Sequence, residues 1–102
     1  MMQAQIFFDR DDRKKDQPLH KFFMDFLIKS GIAGATLFEG TAGFGKNDHI
    51  QTPNQLFSFD ETPVVITFID EDEKVKKVLT DLRKQTNIGL FISHTVTVWA
   101  KE

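Results

Sequence analysis

Apolar residues recur at helix spacing in two separate stretches, each flanked by strand-like runs, so the chain reads β-α-β twice over. In the first stretch Leu19, Phe22, Phe23, Phe26 and Leu27 fall on one helical face. Pro18 suits the first turn of that helix, where a missing N–H leaves nothing unpaired. Gly31 is placed to end it in a left-handed conformation. In the second stretch Val75, Val78, Leu79 and Leu82 repeat the spacing. Asp70 followed by Glu73 resembles a helix start with a capping-box carboxylate. Acids at Glu71, Asp72 and Glu73, with Arg83 and Lys84 near the far end, match the helix dipole. Around the helices, Ala4, Ile6 and Phe8 alternate with Gln3, Gln5 and Phe7 as a strand does. Ala35 to Glu39 reads as a second strand. Pro63 to Ile69 is an apolar, β-branched run typical of a strand buried on both faces. Thr95 to Trp99 alternates as a last strand.

Two such units joined by a polar middle stretch predict a ferredoxin-like, split βαβ sandwich of the α+β class. Its four-stranded antiparallel sheet carries both helices on one face, and right-handed crossovers leave few other packings. A chain of 102 residues makes a single domain, 1–102. The sheet face without helices must be covered, and Phe7, Phe38 and Trp99 are candidates to lie on it. A Phe-rich uncovered face predicts association of subunits.

Charge and composition narrow the function. Thirteen basic against fifteen acidic residues give a net charge of −2, so phosphate neutralisation lacks its usual basic footprint and no nucleic-acid partner is expected. The run Asp9 to Asp16 (DRDDRKKD) balances four acids with four bases and reads as a solvated loop. The absence of cysteine removes disulfides, thiol nucleophiles and thiolate metal sites. No apolar run approaches the roughly 18 residues of a membrane span, and the polar, charged N-terminal region does not read as a signal peptide. A soluble cytoplasmic domain without membrane insertion is the expectation.

The segment from Gly31 to Lys46, GIAGATLFEGTAGFGK, carries the most chemical information. Its glycines surround a strand end and let backbone N–H groups approach a ligand closely. Lys46 adds a positive charge, an arrangement compatible with phosphate. The GxxxxGK[ST] spacing of a Walker A loop is absent, and the same glycines serve equally to turn the chain. Residues 40–62, twenty-three in all, separate the second strand from the third, far more than the two to five of a compact hairpin. Long connections of this kind tend to carry function or to lack order, and loop 42–58 is read as a partner-binding loop.

Gly31-Ile32-Ala33-Gly34-Ala35-Thr36, Gly40-Thr41-Ala42-Gly43-Phe44-Gly45 and Pro63-Val64-Val65-Ile66 together resemble the PII-like family catalogued as domain of unknown function one-hundred-ninety. The likeness runs from the first strand to the last. More distantly the chain is similar to the nitrogen-regulatory PII proteins, whose GFGR stretch corresponds to Gly43-Phe44-Gly45-Lys46. The resemblance implies a homotrimer with inward-facing sheets, adenine-nucleotide sites in the clefts between subunits, and a long loop that regulates a partner protein. It implies that Gly43, Phe44, Gly45 and Lys46 line one wall of the cleft and that Thr36 lies on the strand leading into it. His49, beside Asp48 in the same loop, and Gly89 are further ligand candidates. In two places the chain departs from the PII pattern. The spacing from Thr36 to Gly43 is one residue longer. The stretch Asn87 to His94, where PII proteins carry a second phosphate loop, holds one glycine and no lysine or arginine. AMP or ADP is therefore expected in preference to ATP.

His20, His49 and His94 lie in different elements without metal-ligand spacing, although a metal-associated or purely structural trimer of the copper-tolerance-protein type is the alternative reading. Acids are plentiful, but no pair stands out as an acid–base couple. An enzyme is not expected.

Overall fold

A computed structural model describes residues 1–43 and 62–101. Its elements are β1 (Met2–Asp9), β2 (Arg13–Lys14), β3 (Gln17–Pro18), α1 (Leu19–Lys29), β4 (Ala35–Glu39), β5 (Pro63–Asp70), α2 (Asp72–Gln85) and β6 (Leu90–Thr95). Strands β4, β5, β1 and β6 form one antiparallel sheet in that order, the ferredoxin-like arrangement expected from the two β-α-β units.

The period of two in β1 and β5 sends one set of side chains to the helices. Met2, Ala4, Ile6, Ile66 and Phe68 are buried there in one cluster with Leu19, Phe23 and Leu27 of α1 and Val75, Val78 and Leu82 of α2. Phe23 is fully enclosed, with Phe8 edge-on at 5.1 Å and Phe91 at 5.9 Å between ring centroids. Phe22 and Phe26 complete the stripe as half-buried neighbours of this core. Gly31, at φ +80°, closes α1 as expected. Its N–H reaches the Ile28 carbonyl and the Ile32 N–H reaches that of Leu27, the paired bonds of a Schellman turn.

Several expectations need correction. The last strand is Leu90–Thr95, not Thr95–Trp99. It ends where its partner ends, Thr95 facing Met2, and Trp99 lies beyond the sheet. Helix α2 starts at Asp72, with Glu71 as N-cap and no side-chain cap, so the Asp70–Glu73 capping box does not form. Pro18 is itself the N-cap residue of α1. The charged run 9–16 is not loop throughout, because Arg13–Lys14 pairs with Gln17–Pro18 in a small hairpin. Finally, β5 is apolar on both sides but buried on one. Val65 and Thr67 are half-buried and Ile69 is exposed within the single chain.

Candidate functional site

The register gives the helix-free face of the sheet a row structure. Phe38, Val65, Phe7 and Leu90 face one another across all four strands. Phe38 is 56% exposed and Leu90 60%. Next comes a mixed row of Thr36, Thr67, Gln5 and Ile92, then Ile69, Gln3 and His94. Gln3 Nε2 donates to Thr67 Oγ1 at 2.9 Å. Four apolar side chains in line on an open face form a surface suited to another protein surface.

Thr36 is exposed on this face. Four residues further on, about 13 Å along the strand, the glycine bend begins at Gly40. The Gly40 N–H donates to the Pro63 carbonyl at 2.7 Å. A Cβ on Gly40 would stand 2.9 Å from the Pro63 ring, and one on Gly43 3.2 Å. The ring thus fixes the path of the bend and excludes larger residues at position 40. Phe44, Gly45, Lys46 and His49, with most of loop 42–58, lie outside the described residues.

Gly89 sits at the same end of the sheet, just before β6, whose Leu90 faces Phe7. Its φ is +97°, and a Cβ there would lie 3.2 Å from the Phe7 carbonyl oxygen. Among the described residues, then, Gly43 and Gly89 come to one end of the sheet near its opposite edges, and Thr36 lies on the face below.

The stretch Asn87 to His94 has no lysine or arginine of its own, but the fold supplies one. Arg83, in the last turn of α2, turns back over the connection to β6. Its Nη2 donates to the Gly89 carbonyl at 2.9 Å and its Nη1 to Thr86 and Ile88 at 3.3 and 3.4 Å. The guanidinium lies 3.7 Å from the centroid of the Phe91 ring, a cation–π distance. Sequence reading missed this residue because it placed Arg83 only in the helix dipole. The single available signal was an arginine six residues before a glycine.

At the opposite end Asp70 ties together the connections of both helices. Its Oδ2 accepts the Ala33 N–H at 3.0 Å and its Oδ1 the Glu71 N–H at 2.8 Å. Lys74 Nζ stands 3.8 Å from Oδ2 and donates to the Gly31 carbonyl at 2.7 Å. The Glu71 and then the Ala33 N–H bond hold this carboxyl below the usual carboxylate range, against the effect of burial and with help from Lys74. Beside this clamp Gln3, Ala33, Gly34, Thr36, Thr67 and Ile69 line an open groove on the helix-free face. No helix among the described residues is long and apolar enough to cross a membrane.

Residues 1–98 match the family described as DUF190, Uncharacterized ACR, COG1993. A UPF0166 protein of Aquifex aeolicus is 34% identical over 94 residues, covering 91% of this chain and 88% of the relative. Among solved structures, CPII from Thiomonas intermedia K12 bound to ADP, AMP and acetate superposes with a TM-score of 0.67 at 20% identity. That match covers 97% of this chain and 88% of the other. CutA1 from Pyrococcus horikoshii gives 0.65 at 14% identity, with 100% and 89% covered.

Proposed function

Since the chain belongs to the DUF190 family and shares its fold with PII-like proteins, we propose that it is a non-catalytic PII-like sensor of a small ligand. The ligand is an adenine nucleotide, AMP or ADP, held in clefts between the subunits of a homotrimer. The long loop between β4 and β5 passes the bound state to a partner protein.

The observation that carries this reading is the apolar row Phe38–Val65–Phe7–Leu90, open on the side away from the helices and ending beside the glycine bend. Covering that row with neighbouring subunits turns the sheet end into a cleft wall. One subunit then contributes Gly43 and the residues that follow it to Lys46, and its neighbour contributes the Gly89 connection. Thr36 faces the ligand from the strand below. Arg83 places a positive charge at the second wall, although its N–H groups are directed to the chain's own carbonyls. A short phosphate chain suits such a site better than a triphosphate. The nucleotides named with CPII, ADP and AMP, support the same ligand class.

Thermal unfolding against AMP, ADP, ATP and divalent metals tests the proposal. A ligand that binds only the folded protein adds about 2.7 kcal/mol at a hundred times its Kd. AMP or ADP should raise the midpoint at the lowest concentrations. ATP binding about tenfold tighter than AMP, a difference of roughly 1.4 kcal/mol, overturns the short-phosphate preference. A response to metals alone favours a metal-associated trimer instead.

A further inference from the structure

Among the side chains that the register sets in rows on the helix-free face, His94 is the single one able to carry a charge. It stands on β6 opposite Gln3, with Ile69 beyond Gln3 on β5. His94 is exposed in the single chain. Ile92, two residues before it on the same face, is exposed, as is Ile69. A face of this kind loses its water when another protein surface covers it, and the imidazole loses its water with it.

Among the described residues, this face brings no carboxylate near the imidazole. Strand β6 is an edge strand, with β1 as its one strand neighbour. Opposite His94, the neutral Gln3 turns its amide to Thr67 Oγ1 at 2.9 Å. The adjoining residues of β6, Ser93 and Thr95, are neutral as well. The Met1 ammonium is directed to Asp72 at the start of α2, 3.0 Å from Oδ1. The next acid in the same alternation is Asp9, opposite Pro63 at the far end of β1. It lies about 20 Å from Gln3 along the strand, well beyond the roughly 8 Å over which exposed charges act at physiological salt. Its Oδ1 already accepts the Asp11 N–H at 2.8 Å.

An imidazole ordinarily changes charge between about pH 8 and 5. The neutral ring can be buried with a hydrogen bond, whereas an unpaired charge must give up its hydration without return. We propose that His94 makes subunit association pH-dependent: the neutral ring lets the helix-free faces close on one another, and a proton on it separates them. The proposal rests on the subunit association proposed above and adds its regulation. The separated chain binds the proton and the associated one does not, so association is full at high pH and falls as pH drops. With one proton taken up by each of three subunits, the association constant falls by up to about a thousandfold per pH unit. Ligand clefts that exist only between subunits are lost with it.

Sedimentation of the full chain without nucleotide, over a range of concentrations and from about pH 8 down to about pH 5.5, tests the proposal. The wild type should associate at the alkaline end and come apart towards the acid end. His94→Gln keeps a neutral polar side chain and should associate equally at both. His94→Lys fixes a charge at the same place and should stay separated at both. Position 94 is exposed on an edge strand, so circular dichroism should show all three proteins equally folded. Wild-type association that is equal at both ends, or stronger in acid, overturns the proposal and leaves the association itself standing. A pH response that His94→Gln retains does the same, because another group then carries it. His94→Lys associating as tightly as the alkaline wild type shows that the surface around residue 94 stays wet, and overturns the proposal too. A wild type that sediments as a single chain at every concentration and pH removes the association and its regulation together.

Discussion

Replacing Asp70 by Asn tests the clamp at the lower end of the sheet through both its size and its pH dependence. The carboxylate accepts two backbone N–H bonds and lies 3.8 Å from Lys74 Nζ. Hydrogen bonds to a charged group contribute about 1.5–3 kcal/mol each, and a half-exposed ion pair at most about 1 kcal/mol. Asparagine keeps one acceptor and presents an NH2 group to the second N–H. Ala33 and Glu71 are exposed, so water recovers part of the loss. The expected cost is about 2 kcal/mol, or roughly 10 °C in Tm for a domain near this size. Asp70 has a folded pKa below its unfolded value. Its contribution is therefore full above the unfolded pKa and fades as pH falls through the folded one. Urea unfolding across a pH series should show the gap between wild type and Asp70→Asn widest at neutral pH and closing in acid. A gap that persists unchanged into acid refutes the charge-based account. So does a neutral-pH gap under about 0.5 kcal/mol, the range of an ordinary surface substitution.

Gly89→Ala forces a side chain into φ +97° and against the Phe7 carbonyl on a central strand; urea unfolding should show a loss of about 2–3 kcal/mol, and a neutral result removes the strain argument. Phe23→Ala opens the space between Phe8 and Phe91 and should cost about 3–5 kcal/mol by the same assay. Arg83→Ala should cost about 1–2 kcal/mol and speed hydrogen exchange in residues 86–89. Arg83→Lys should recover less than half of that, because the planar fork to three carbonyls is lost; full recovery would show that charge alone suffices.

Both helices and the repeated β-α-β plan were legible because they rest on local periodicity. The stripe from Leu19 to Leu27 needs no knowledge of distant residues, nor does the glycine that ends α1. The position of the last strand was not legible. Leu90–Thr95 and Thr95–Trp99 are both strand-like, and only the pairing with β1 decides between them. Asp70 was misread for a similar reason. Its spacing to Glu73 satisfies a capping motif, but its second bond goes to Ala33, 37 residues away, and such a partner leaves no mark in the local pattern. Within the candidate site, the glycine bend was legible as a turn at a strand end, while the neighbour that fixes its path, the Pro63 ring, emerges only from the register of β4 on β5. Arg83 escaped notice because a long side chain reaches across a connection that spacing rules treat as separate.

The central place of β1, between β5 and β6, also governs how the chain is made. Strand β1 leaves the ribosome well before the strands that flank it on both sides, Met2 finally facing Thr95. During synthesis β1 stays without its native neighbours while the Phe-rich stripe of α1 waits for its cover. Contacts this distant in sequence slow folding and lengthen the exposure of sticky surface. A nascent chain halted before Leu90 would present one side of β1 as a ready template for a stray strand, a hazard that the pairing of β6 removes.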